Sequence, residues 1–127
     1  MRKWTAIYYE DEKGYCQISE FLDSLPSSAR AKVLAWISAL EEQGSTLPRP
    51  YADLLEDGIH ELRIKVKGDQ ERILYFFVFQ DYIILTHQFE KHTQKVDKAE
   101  IKKAKSIRNN FERRFKTKKD FEASLTD

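Results

Sequence analysis

The sequence predicts one small α+β domain spanning residues 1–127, in the order β-α-α-β-β-β-α, and three observations carry that expectation. Apolar residues recur at helical spacing between Ile18 and Leu40. Three segments between His60 and Phe89 alternate like strands or run apolar on both faces, with short polar turns between them. A basic segment after Asp97 carries a helical stripe and a helix-start signal. With 127 residues, 41% of them hydrophobic, the chain can bury one core.

Residues 3–9 are rich in aromatic and β-branched residues and are expected as a first strand. Asp11-Glu12-Lys13-Gly14 makes a turn. Ile18, Phe21, Leu22 and Leu25 then define one face of a short helix that ends at Pro26. A second helix, with Pro26 at its start, carries Val33, Trp36, Ile37 and Leu40 and is capped by Gly44. Residues 45–58, with Pro48, Pro50 and Gly58, read as a loop.

Over residues 60–67, Leu62, Ile64 and Val66 share one face, and Glu61, Arg63, Lys65 and Lys67 the other. A hairpin turn is expected at Gly68-Asp69, followed by a strand over 71–79 whose apolar faces mark it as central. Gln80-Asp81 turns into a third strand over 82–89, completing an antiparallel meander packed against the two N-terminal helices. Asp97 is expected as an N-cap with Glu100 as its capping-box partner. Ile101, Ala104, Ile107, Phe111 and Phe115 form the stripe of this last helix, and only the final few residues read as unstructured.

Composition narrows the chemistry. One cysteine, Cys16, allows neither an internal disulfide nor a cysteine-based zinc site. The start of the chain lacks a signal-peptide h-region, and the longest apolar run, residues 73–79, is far shorter than the roughly twenty residues that span a bilayer. A soluble, cytoplasmic protein with no membrane partner is expected. The net charge of +1 conceals an asymmetry: residues 1–60 hold six Lys/Arg against ten Asp/Glu (−4), and residues 61–120 hold sixteen against nine (+7). Such a division points to an anionic ligand, against the plainer reading of a solvated lysine-rich helix.

The row Glu61, Arg63, Lys65, Lys67 repeats every ~6.5–7 Å along a strand, close to the phosphate spacing of an extended single strand. Arg72 and Tyr75 lie on the next strand, and His87 and Phe89 on the third, followed by Lys91, His92 and Lys95. Cations for phosphates, aromatics for unstacked bases and acid–base groups together fit RNA recognition. Arg72 shares parity with Leu74, Phe76 and Val78, so it needs a partner or an anionic ligand. Tyr75 shares parity with Ile73 and Phe77, and His87 with Ile83 and Leu85, so core roles stand beside functional ones; lysines on an edge strand also deter aggregation. No glycine-rich phosphate loop or nucleotide-binding fingerprint is present, and His87 and His92 stand five apart without an acidic ligand cluster, which argues against a metal or other cofactor. Metal-free RNA cleavage by a general base, phosphate-binding cations and a general acid remains.

The stretches Asp57-Gly58-Ile59-His60-Glu61-Leu62-Arg63, Arg72-Ile73-Leu74-Tyr75 and Ile84-Leu85-Thr86-His87-Gln88-Phe89-Glu90-Lys91, with Lys95 and Phe21-Leu22-Asp23-Ser24-Leu25-Pro26, resemble the RelE/HigB toxin superfamily, in its phage-derived branch. The resemblance implies a RelE-like fold and the toxin of a type II toxin–antitoxin system: a metal-independent endoribonuclease (mRNA interferase) that cuts messenger RNA in the ribosomal A site and so inhibits translation. It implies that Arg63 and Arg72 clamp the scissile phosphate, that Glu61 or His87 is the general base or acid, and that Tyr75 stacks on or orients a base. Lys91 and Lys95 would bind flanking RNA, and Lys65, Lys67, Phe89 and His92 complete the expected RNA-binding set. His92 stands where many relatives carry a second lysine. The implied partners are mRNA, the ribosome and a small helix-turn-helix antitoxin, with operator DNA reached only through the antitoxin complex. A non-catalytic RNA- or ribosome-binding module and an antitoxin-binding co-repressor are the alternatives.

Overall fold

The computed structural model describes residues 3–92 and 95–126. Strand β1 (Thr5–Tyr8) leads into helix α1 (Gln17–Ser24) and helix α2 (Ser27–Gln43), with Pro26 at the N-cap of α2. Gly44 ends α2 with a positive φ of 53° and donates its N–H to Leu40 O. The Trp4 ring lies 2.1 Å from where a β-carbon would stand, so both backbone and space demand glycine there.

Four strands follow: β2 (Ala52–Glu56), β3 (Ile59–Val66), β4 (Asp69–Val78) and β5 (Tyr82–Glu90). They form the sheet β1-β5-β4-β3-β2, so β4 is central, as its doubly apolar sequence required. The α+β class holds and agrees with the RelE-like arrangement, with three refinements. The sheet is mixed, because β1 pairs parallel to β5. Residues 52–56, expected as loop, add an edge strand antiparallel to β3. A further helix that was not expected, α4 (Lys118–Ser124), follows helix α3 (Lys98–Arg114), with Thr117 Oγ1 accepting from Asp120 N–H.

The β3–β4 turn is Lys67-Gly68, one residue earlier than expected, since Val66 pairs with Asp69. Both turn residues have positive φ, 52° and 87°, as a two-residue hairpin with right-handed strand twist requires. Lys67 is therefore a turn residue and does not extend the strand row.

The sheet has a helical layer on each face. Val33, Ile37 and Leu40 of α2 and Ile18 and Leu22 of α1 pack on Leu62, Ile64, Val66, Ile73, Ile83 and Leu85. On the opposite face, Ile59, Leu74, Phe76 and Ile84 meet Ala104 and Phe111 of α3 and Phe121 of α4. Phe121 is buried among the rings of Phe111, Phe115, Phe79 and Tyr82, with centroids 5.0–5.9 Å apart. Phe121→Ala opens a cavity in this cluster and is expected to cost about 3–4 kcal/mol of unfolding free energy, read by urea denaturation; a cost under about 1 kcal/mol would mean that α4 carries no core weight.

Candidate nucleic-acid interface

The β3–β4 register sets Arg63 directly opposite Arg72 on the α3 side of the sheet. Facing like charges destabilise a strand pair, and the neighbouring residue on the same face of β3 answers them. Glu61 has no solvent exposure; its Oε1 accepts from Arg63 Nε at 2.6 Å, and its Oε2 lies 3.4 Å from Arg72 Nε. That second contact is an ion pair without the alignment of a hydrogen bond, since neither atom has a hydrogen-bond partner. The row read as solvent-facing is thus folded inward at Glu61, because β2 and α3 cover that end of β3.

Asp53 of β2, paired in register with Glu61, joins the cluster through Arg63 Nη2 at 3.2 Å and Arg49 Nη2 at 2.7 Å. The Arg49 hydrogen bond holds Asp53 below the usual carboxylate range. Three guanidiniums against two carboxylates leave one positive charge in excess. Arg72, with only 6% of its surface exposed, also donates from Nη1 to Glu71 O and Gln70 Oε1. Burial lowers its pKa against the pull of Glu61, and the guanidinium stays charged.

Two clefts meet at Arg63. The first, about 360 Å³, lies where β3 runs past the start of β2 and is lined by Arg63, Lys65, Gln70 and Arg72 together with Lys32 and Trp36 of α2 and Tyr51. The second, about 300 Å³, lies between β2, β3 and the approach to α3, and brings Glu61 and Arg63 together with Asp53, Lys91 and Lys95. Lys32, Trp36, Tyr51 and Asp53 were not anticipated. Trp36 reads as part of the α2 core stripe, and residues 45–58 read as loop, so no pattern set them beside Arg63.

The other expected residues separate. Tyr75, 1% exposed, lies on the α1–α2 face, stacked on His60 at 5.2 Å, and burial raises its pKa. It does not reach the arginines' face. Phe89 faces Arg72 in register and is half-buried, with its ring 5.8 Å from His87. His92 is exposed, its Nδ1 4.0 Å from Glu90, and Lys67 is exposed in its turn. Neither lines a cleft. His87 is buried, with Nε2 3.0 Å from Glu100 Oε1 and Nδ1 3.0 Å from Thr86 Oγ1. Glu100 therefore anchors α3 to the sheet instead of closing a capping box, while Asp97 caps by accepting from Ala99 N–H.

Among the described residues one trio of carboxylates, Asp69, Glu71 and Glu90, gathers within 4.8 Å. None of them lines either cleft.

Burial lowers the pKa of His60, and burial also lowers that of His87, with the Glu100 hydrogen bond opposing it. Thr86 Oγ1 donates to Leu74 O, and neutral His87 holds one ring proton between its Glu100 and Thr86 contacts. As pH falls below about 6.5 the unfolded chain takes up these protons before the folded one, so stability is full above that value and declines beneath it. The melting temperature is expected to drop between about pH 7.5 and about pH 5.5, and to drop less in His60→Phe/His87→Gln. An equal drop in the variant would remove these histidines from the account.

No curated protein sequence matches this chain. A family model matches residues 20–109, a stretch that runs from α1 into α3 and contains every residue lining the two clefts. The chain belongs to the family described as Phage derived protein Gp49-like (DUF891), a toxin-like family related to RelE/HigB.

Proposed function

We propose that this protein is the toxin of a type II toxin–antitoxin system and that it cuts messenger RNA on the ribosome without a metal. The observation that carries this reading is the pair of facing arginines, held by a buried carboxylate where two lysine-bearing clefts meet. A phosphate at Arg63 would lie between clefts that extend along a strand in both directions, with Lys65 on one side and Lys91 and Lys95 on the other. Family membership supports the toxin-like part of the reading.

In the reaction the 2′-oxygen forms a bond to phosphorus as the bond to the 5′-oxygen breaks. One proton leaves the 2′-hydroxyl and another reaches the 5′-oxygen. Arg63, a quarter exposed at its side chain, stabilises the crowded phosphate, and Arg72 reinforces that field from behind. Glu61 is a positioning residue in this scheme, since its oxygens are turned to the arginines, and His87 positions α3 through Glu100. Proton exchange would fall to the exposed His92, which lines neither cleft itself but follows Lys91 of the second, with the lysines as electrostatic support. The antitoxin would be a small helix-turn-helix protein whose acidic surface covers the basic clefts, and the complex would meet operator DNA through it. The work would be done in the cytoplasm.

One observation favours a second reading. Glu61 and His87, the two residues expected as general base or acid, are both buried and engaged. A module that binds RNA or the ribosome without cutting would have the same basic clefts and no need of a free base.

Induced expression in bacteria, with the 5′ ends of cellular mRNA mapped, separates the two. The parent is expected to arrest growth and to leave new 5′ ends within translated mRNA. Arg63→Gln, which keeps an N–H for Glu61 but loses the charge, is expected to cut about 100-fold more slowly and to let cells grow at the same soluble level. Arrest without new 5′ ends would favour the binding module, and growth unaffected by the parent would overturn the toxin reading.

A further inference from the structure

The cleft at the free edge of β3 has a composition that the phosphate-binding role alone does not require. Its four charged lining residues, Lys32, Arg63, Lys65 and Arg72, are all cations, whereas the neighbouring cleft includes Asp53 and Glu61. Its wall is aromatic: Trp36 and Tyr51 stack with centroids 4.7 Å apart and planes inclined by 27°. Tyr51 keeps 42% of its surface exposed, so a large π-face remains open beside the cations. A stack that served only to pin the loop before β2 onto α2 would need neither that open face nor the cations around it.

The backbone explains the opening. Arg63 N–H donates to Tyr51 O at 2.8 Å, and Ala52 pairs with Leu62, so β2 covers β3 only up to this point. Past it, Ile64 and Lys65 form the floor of a space of about 360 Å³, within the size range of small-ligand sites, roughly 300–1,000 Å³. Gln70, whose Oε1 accepts from Arg72, adds an amide to the lining.

We propose that this cleft seats one nucleotide of single-stranded RNA, with its base stacked on the Trp36–Tyr51 pair and its phosphate at Arg63. This deepens the proposed function and rests on its RNA-binding part. Stacking on an aromatic platform accepts any base face, so the seat fixes the position of the strand more than its sequence, and Gln70 is the group able to read a base edge.

The chain has two tryptophans, Trp4 and Trp36, so Trp4→Phe makes Trp36 the sole indole reporter. This protein is titrated at low salt with a short single-stranded RNA and with an abasic ribose-phosphate oligomer of equal length. Trp36 emission is expected to be quenched by the RNA. Tyr51→Leu is expected to weaken RNA binding about tenfold, and the parent is expected to bind the abasic oligomer with the same deficit. Tyr51→Leu is expected to keep the parent's circular dichroism spectrum and cooperative unfolding, which separates loss of the platform from loss of the fold. RNA that binds the parent and is lost in Arg63→Gln, yet leaves Trp36 emission and the Tyr51→Leu affinity unchanged, would overturn the base seat and spare the proposed function. No RNA binding by the parent would overturn both.

Discussion

Two arginines face each other across β3 and β4, and a fully buried carboxylate between them makes that arrangement tolerable. Each part depends on the others. A lone carboxylate at Glu61 would carry a desolvation cost of several kcal/mol, and Arg63 and Arg72 unopposed would repel across the ladder. The register that brings them together is set by the Lys67-Gly68 turn, whose two positive φ angles suit a tight hairpin. A slip of one residue would turn Arg63 into the α1–α2 core and Leu62 toward α3. The positive site and the hydrophobic layering are therefore consequences of one register.

The surrounding elements shape access to that charge. The β2 edge strand contributes Asp53 and stops at Ala52, which leaves β3 open beyond Arg63. Helix α3 closes the opposite side and is held by His87–Glu100 and by Lys105, which pairs with Glu56 and Asp57 at the β2–β3 turn. These ties act on rigid elements, so Arg63 sits between two walls whose spacing is fixed by packing. Lysines at the rim, Lys32 and Lys65 on one side and Lys91 on the other, extend the positive field along the line a strand of RNA would follow.

Much of the fold was legible because its signals are local. Ile18, Phe21 and Leu22 at helical spacing, the doubly apolar β4 and the Asp97 cap each stand in a short window of sequence. What escaped depends on distant partners. Residues 52–56 become a strand only through pairing with β3, and β1 lies parallel to β5 through contacts more than seventy residues apart. Residues 118–124 carry too short a pattern to announce a helix, which is held by Phe121 against Phe111 and Phe79. The site followed the same pattern. Strand parity alone marked Arg72 as needing a partner, and Glu61 is that partner. Parity could not say that the bulge between Leu74 and Tyr75 accompanies a buried His87 beneath α3, or that Trp36, packed against the core, also stacks on Tyr51. At Tyr75 parity was right: it lies with Ile73 on the face opposite Arg72, whereas the resemblance had grouped it with the arginines.

The claim that Glu61 holds Arg63 and Arg72 ready for phosphate is read most directly from the arginine side chains themselves. In a nitrogen-labelled sample, the Nε–Hε resonances of Arg63 and Arg72 should be resolved and protected in the free protein. They should move on titration with single-stranded RNA, while that of Arg30, bound to the backbone oxygen of Leu22, stays in place. Saturation with RNA that leaves Arg63 and Arg72 unmoved would contradict the account.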